Sequence, residues 1–264
     1  MVNPTRGVLY PARLPQFHRL SAPAAVSELV AWFWIPEWDI EPGRSSRQEV
    51  VAYPALNLVI DAHTMTLSGA TTRMSYRDLR GSGWAVGALL RPAAVAALVD
   101  DPAELVDAER VLSASWPDAE AVHDAVAEAM GSGEGHRERA VEVFARWLER
   151  RVGPVGDPGR QANALMDALW GDDAALTPEE AAARLSVSLR TLQRMTHRHV
   201  GLSPGAMIRR RRLQDAAQRV REEPGIELAS IAAELGYADH AHLTRDFQAV
   251  LGIAPHTYRS ASRG

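Results

Sequence analysis

The last third of the chain carries an internal repeat, and that repeat restricts the fold more than any other feature. At a constant offset of 51 residues, Leu192 matches Leu243, Arg194 matches Arg245, Val200 matches Leu251, Gly201 matches Gly252 and Pro204 matches Pro255. Upstream, Leu185 matches Leu235 at an offset one shorter, which places the length difference in the turn. The punctuation agrees with a helical reading. Thr177-Pro178-Glu179-Glu180 forms a capping box, with Pro178 at the first helical position and Glu180 reaching back. That helix runs to Leu185; Ser188 caps a second that reaches Val200 and is ended by Gly201. Ser203-Pro204 starts a long helix to Glu222, broken by Pro224-Gly225. A helix over 228–235 ends at Gly236, Asp239 caps another to Leu251, and Pro255 begins a final turn. Each copy is therefore a short helix, a tight turn and a second helix, apolar inside and rich in Arg, Gln, His and Thr outside. That is helix-turn-helix geometry, whose second helix enters the major groove of DNA. A plain helical bundle is the competing reading, and two copies joined by an Arg-studded helix disfavour it.

The residues of both copies resemble the AraC/XylS family of bacterial regulators over roughly residues 160–260. In the first copy the match is Ala181-Ala182, Leu185, Ser188, Leu192, Arg194, Gly201, Ser203-Pro204, Arg212 and Ala216. In the second it is Ile231-Ala232, Gly236-Tyr237, Leu243, Arg245, Phe247, Gly252, Pro255 and Tyr258-Arg259. Met195 stands where an aromatic is usual and Leu243 where Phe is common; both are core exchanges of the kind that is tolerated. The His240-Ala241-His242 segment is peculiar to this chain. The resemblance implies two recognition helices entering adjacent major grooves on one DNA face. By family position Arg190, Gln193 and Arg194 face bases in the first, and His240, Ala241, Thr244 and Arg245 in the second. The chemistry suits those roles, because Arg forks onto guanine, Gln pairs with adenine and small side chains meet thymine methyls. Ser188, Arg198, Arg209 and Arg212 are assigned to backbone contacts. For Arg194 and Arg245 a fold-bracing ion pair with an acid is the alternative.

Charge supports this division. The 29 cationic side chains are all Arg; residues 175–264 carry 13 of them against 9 acids, and residues 1–174 carry 16 against 24. A basic tail thus follows an acidic body. The Ala-rich, Lys-free composition also matches a high-GC genome, and that reading of the arginines carries the greater weight.

The fold class expected is α+β: an N-terminal β-rich, barrel-like domain with a helical pair, then an all-α domain of two helix-turn-helix units joined by a long helix. Domain bounds are 1–115 for the β-rich, effector-sensing part, 116–152 for the helical pair, 153–160 for a linker and 161–264 for the DNA-binding part. Short apolar runs at 29–35, 49–53, 56–60, 65–67 and 84–90 read as strands, and 92–99 as a helix. The stretches 118–130 and 136–152 read as helices that either pair between subunits or pack on the barrel. The helix breakers of 153–159 mark the linker, and a short helix is expected over 162–170. Tyr53 to Ile60 and Val86 to Pro92 resemble a sensor domain found before some AraC-type tails.

A metal-dependent cupin is disfavoured, since His18 and His63 are the only histidines before residue 120. No nucleophile elbow, phosphate-cradling loop or His-Glu-x-x-His appears, so no catalysis, cofactor or metal is expected. The chain has no Cys, which removes disulfides, thiolate metal sites and the acceptor needed by a DNA-repair methyltransferase fused to this kind of tail. Trp32, Trp34, Tyr53 and Trp84 line either an effector pocket for a flat or apolar ligand or a packed core. The start, Met1 to Arg6, lacks a signal-peptide core, and no apolar stretch spans a membrane, so a cytoplasmic, nucleoid-associated protein is expected. Implied partners are double-stranded operator or promoter DNA, a small-molecule effector, RNA polymerase in the manner of an activator, and a second copy in a homodimer, with no membrane. The leading reading is a one-component regulator; the alternative is an effector-independent regulator whose front half serves dimerisation or protein contacts.

Overall fold

The computed structural model describes residues 15–112, 116–171, 173–223 and 225–261. Residues 1–14, the end of the expected β domain at 113–115, Asp172, Pro224 and the last three residues lie outside the described residues.

Among the described residues the front half holds two antiparallel sheets. β1 (Gln16–Ser21), β2 (Val30–Asp39), β7 (Ser82–Leu90), β4 (Asn57–Asp61), β5 (Met65–Ser68) and β8 (Glu109–Val111) lie side by side in that order. β3 (Ser46–Val50) and β6 (Ser75–Leu79) form a separate ribbon, tied to β8 through an Arg77–Glu109 ion pair. The expected run 49–53 ends as a strand at Val50. Pro54 lacks an N–H, and the carbonyls of Val51 and Ala52 bond side chains of the rear half instead of a neighbouring strand.

Alternation along the strands separates two faces. Phe33 and Ile35 of β2, Leu58 and Ile60 of β4, Met65 and Leu67 of β5 and Val86 and Ala88 of β7 point to one side and are buried. That side is covered by α2 (Ala119–Met130) and α3 (His136–Val152), whose Val122, Val126, Phe144, Trp147 and Leu148 complete one core with the sheet. Phe33 and Phe144 meet edge to face at 5.7 Å. The helical pair therefore packs on the β domain of its own chain. α1 (Pro92–Leu98) closes the same end.

The connection to the rear half is shorter than expected. α3 stops at Gly153, whose φ is +75°, and α4 (Asp157–Trp170) begins four residues later, so that only 153–156 is irregular. Pro158 sits in the first turn of α4, where its missing N–H costs nothing and its fixed φ favours the helix. Gly159 faces Ala93, where a Cβ would come within 3.3 Å of the Ala93 Cβ. The residues read as breakers thus start a helix that lies close against α1. Asn163 fastens it, accepting from Ala93 N at 2.9 Å and donating to Glu28 O at 2.8 Å.

The rear half continues with α5 (Pro178–Arg184), α6 (Leu189–Val200), α7 (Pro204–Glu222), α8 (Leu228–Glu234), α9 (His240–Leu251) and α10 (Pro255–Ala261). Two cores organise it. Ala181, Leu192, Val200 and Met207 centre the first unit; Leu213, Ile231, Phe247, Leu251 and Tyr258 centre the second. Met195 packs on the first core and Leu243 is fully buried in the second, so both departures from the family pattern are core exchanges.

Candidate nucleic-acid interface

The repeat extends to the backbone. α6 and α9 are each 12 residues long. Each begins with a side chain accepting the third N–H of its helix, Ser188 from Thr191 N at 3.1 Å and Asp239 from His242 N at 2.7 Å. Each ends on a left-handed glycine, Gly201 and Gly252. The short helices α5 and α8 close alike: Val187 N bonds Ala182 O at 3.0 Å, and Tyr237 N bonds Ala232 O at 2.9 Å. The residues before these, Ser186 and Gly236, have φ of +53° and +72°, completing two Schellman closures. The single extra residue of the second turn is therefore Ala238, between the closure and the cap.

The caps influence the electrostatics. Asp239 is held below the usual carboxylate range by the His242 N–H it accepts. Glu180 is lowered chiefly by the Leu176 N–H and then by Arg184. Thr177 accepts from Glu180 N as the capping box requires, but Glu180 reaches one residue further back than expected, to Leu176 N at 2.8 Å.

Burial of Leu192, Thr196 and Val200 turns the opposite side of α6 outward, and there Arg190, Gln193, Arg194 and Arg198 are exposed. Among the described residues none of Arg190, Arg194 and Arg198 enters an ion pair, so the bracing alternative for Arg194 has no support. On α9, Leu243, Phe247 and Val250 are buried; His240, Ala241 and Arg245 are exposed and Thr244 is half-buried. Arg245 folds back along its own helix, its Nε 3.3 Å from Ala241 O. His242 turns inward, edge-on to Tyr237 at 5.2 Å. The front half leaves these outward positions of both helices uncovered.

The arginine run at the centre of α7 behaves differently from the expectation for Arg209 and Arg212. Arg209 pairs with Asp246 of α9 at 2.8 Å. Arg210 is buried against the front half. Arg211 donates to Ala175 O at 3.0 Å. Arg212 bonds Leu176 O and lies over the Tyr237 ring at 5.5 Å. Four consecutive side chains at about 100° intervals leave the helix in different directions, and here each direction meets protein. Arg209 remains half-exposed, while Arg212 is a brace between the two units.

The four candidate pocket aromatics do not share one pocket. β2 pairs with β7 so that Trp84 stands opposite Glu37, on the face packed against the helices. Trp34 points to the other face, its Nε1 2.9 Å from Asn57 Oδ1, lying where a Cβ on Gly87 would meet its ring. Trp32 and Tyr53 do meet, at 4.8 Å, and Tyr53 continues to Trp170 of α4 at 4.7 Å. That trio belongs to the contact between the halves. His18 lies 3.8 Å from Glu37, which His136 of α3 also bonds at 2.7 Å.

A family described as a helix-turn-helix domain matches residues 181–261, and one described as a domain of unknown function matches residues 18–111. The multiple antibiotic resistance protein MarA of Salmonella typhimurium is 34% identical over 95 residues, covering 34% of this chain and 72% of MarA. The chain belongs to the AraC/XylS family. The HTH-type transcriptional activator RhaS of Pectobacterium carotovorum is 32% identical over 125 residues, 47% of this chain and 37% of RhaS. The chain thus spans under two fifths of the length of that curated relative. Among solved structures, ToxT of Vibrio cholerae O395 aligns over 95% of this chain and 98% of its own, with 12% identity and a TM-score of 0.39. Among the described residues no helix is long and apolar enough to cross a membrane.

Proposed function

We propose that the chain is a sequence-specific DNA-binding transcription regulator in which α6 and α9 read two successive major grooves. The observation that carries this is the pair of 12-residue helices, each capped at its third N–H and ended on a left-handed glycine, whose outward positions present Arg190, Gln193 and Arg194 on one and His240, Ala241 and Arg245 on the other. The N-terminal turn of such a helix meets base edges, and these side chains supply the donors and small apolar contacts that base edges require. α6 is the stronger reader; α9, with Arg245 laid along its own backbone, holds DNA as much as it discriminates. Ser188 and Arg198 flank the first reading surface and serve the phosphates.

The front half, from residue 1 to 115, the helices of 116–152 and the tail from 161 are proposed as sensing, packing and DNA-binding parts of a one-component regulator that takes a small-molecule effector. The support is that the front half is built into the cores of both helix-turn-helix units, so a change in its sheets is felt by both. Contact with RNA polymerase and formation of a homodimer are proposed as part of the same reading.

Selecting bound duplexes from a random-sequence pool with the full chain tests the proposal. A single enriched motif with two separated half-sites is expected, and no enrichment over the starting pool would refute it. Repeating the selection with metabolite pools while following tryptophan fluorescence tests the effector. If no pool shifts fluorescence, melting or binding, an effector-independent regulator is the correct reading.

A further inference from the structure

Among the described residues the joining helix α7 buries three polar side chains, Arg210, Arg211 and Gln214; Arg211 turns to Ala175 of its own half, and the other two turn to the front half. Arg210 is 3% exposed and Gln214 1%, one helical turn apart, and both point into the front half. Arg210 Nε donates to Ala52 O at 2.6 Å, and its Nη2 donates to Thr71 Oγ1 at 2.7 Å and Arg73 O at 3.0 Å. Gln214 Nε2 donates to Val51 O at 2.6 Å. All four acceptors come from two loops of the β half, the one after β3 and the one after β5. The second loop is itself fastened by Asp107, which accepts from Thr72 N at 2.7 Å and holds the left-handed φ of +58°.

The same loops enter both cores of the rear half. Val51 is fully buried in the second core, with Met74 packed against it, and Met74 N bonds Val250 O of α9 at 2.9 Å. Ala70 is fully buried in the first core, with Val106 against it. The front half is therefore a brace spanning both helix-turn-helix units, and Arg210 with Gln214 is its polar fastening midway along the joining helix.

This fastening is polar where the cores on either side of it are apolar. Arg210 hydrogen-bonds only neutral oxygens, and burial holds its guanidinium down to about 10. Among the described residues no protein group bonds Arg210 Nη1 or Gln214 Oε1. Opening the contact would return the buried guanidinium and amide to solvent, so these polar groups favour opening more than an apolar contact of the same size would. A permanent joint would be better served by apolar side chains.

We propose that Arg210 and Gln214 are positioning residues of a releasable latch: when the loops at 51–52 and 71–73 engage α7, α6 and α9 are held in the one mutual orientation that fits two grooves at once. The front half then acts as a clamp on the reading domain and not as a cover over it, consistent with the outward positions of α6 and α9 being free in the latched form. The inference rests on the DNA-binding reading above.

The test uses the full chain and DNA selected by the wild type, with duplexes in which either one half-site or both are intact. Thr71→Val, isosteric and in a front-half loop outside α6 and α9, removes one acceptor, and Arg210→Met removes the fork at similar volume. Both are expected to lower affinity for the two-half-site duplex by about tenfold while changing half-site affinity less than about twofold. Arg210→Lys, which keeps the charge without the fork, is expected to fall between. If the folded Thr71→Val variant keeps the wild-type ratio of the two affinities, the latch is refuted, even if Arg210→Met fails to fold. Equal losses on both duplexes would likewise reduce these residues to general stabilisers and overturn the inference. Failure of the wild type to bind any DNA would instead remove the underlying reading, and the inference with it.

Discussion

At the scale of single residues the arginines sort by what surrounds them, not by how they are spaced. Arg190 and Arg198 stand outward from α6, whereas Arg212, on a helix equally rich in arginine, bonds Leu176 O and covers Tyr237. Different losses follow. Arg190→Ala or Gln193→Ala is expected to relax preference at one operator position by ~1–3 kcal/mol, read from competition with base-substituted duplexes. Arg198→Ala is expected to weaken every sequence alike and to reduce the salt slope by about one. Arg212→Ala is expected to leave that slope unchanged and to lower the melting temperature; a reduced slope would restore it to the phosphate contacts. The difference between Arg198 and Arg212 was hidden in the sequence because it depends on long-range partners. Arg211 reaches a carbonyl 36 residues away and Arg210 one 158 residues away. A sequence signal was nonetheless present: Arg210 and Gln214 interrupt the otherwise apolar line of Met207, Leu213 and Ala217, and a polar pair there needs an acceptor from elsewhere.

At the scale of elements the caps and turns were legible because they are local. Ser188, Asp239, Gly201 and Gly252 act as their residue types suggest, and α2 and α3 lie within a residue of their expected limits. The connection at 153–160 was not legible, since Pro158 and Gly159 break a helix in isolation but begin and pack one when α1 lies alongside. The placement of Trp84 away from Trp34 was equally invisible, because one residue of register decides the face. The two Schellman turns provide a stability test. Ser186 takes a left-handed conformation that glycine fills in the second copy. Ser186→Gly is expected to raise stability by up to ~1 kcal/mol, and Gly236→Ala to lower it by ~1 kcal/mol or more, as measured by denaturant midpoints. The pH profile tests the caps. Asp239 and Glu180 have folded pKa values below their ordinary ones. Their contribution is therefore complete above the ordinary carboxylate value and lost as pH falls through the folded one. Asp239→Asn keeps an acceptor at the cap without the titration, so its melting temperature is expected to fall less on acidification than that of the wild type. Parallel profiles for the two proteins would exclude a role for the Asp239 charge.

At the scale of the whole molecule the two halves share their cores instead of meeting as independent modules. Val51 and Met74 enter one helix-turn-helix core, Ala70 and Val106 the other, and Trp32, Tyr53 and Trp170 meet edge-on and tilted across the junction. Removing the front half is thus expected to uncover apolar surface on both units and to lower the solubility and melting temperature of the remaining tail, as chromatography and calorimetry of residues 157–264 would show. The central claim is that both recognition helices of one chain engage DNA together. Hydroxyl-radical and guanine-methylation footprinting of the full chain on selected DNA tests it most directly. Two protected major-groove segments on one face, separated by about one helical turn or ~10 base pairs, are predicted. Protection of a single groove, with the second unaffected by His240→Ala or Arg245→Ala, would contradict the account.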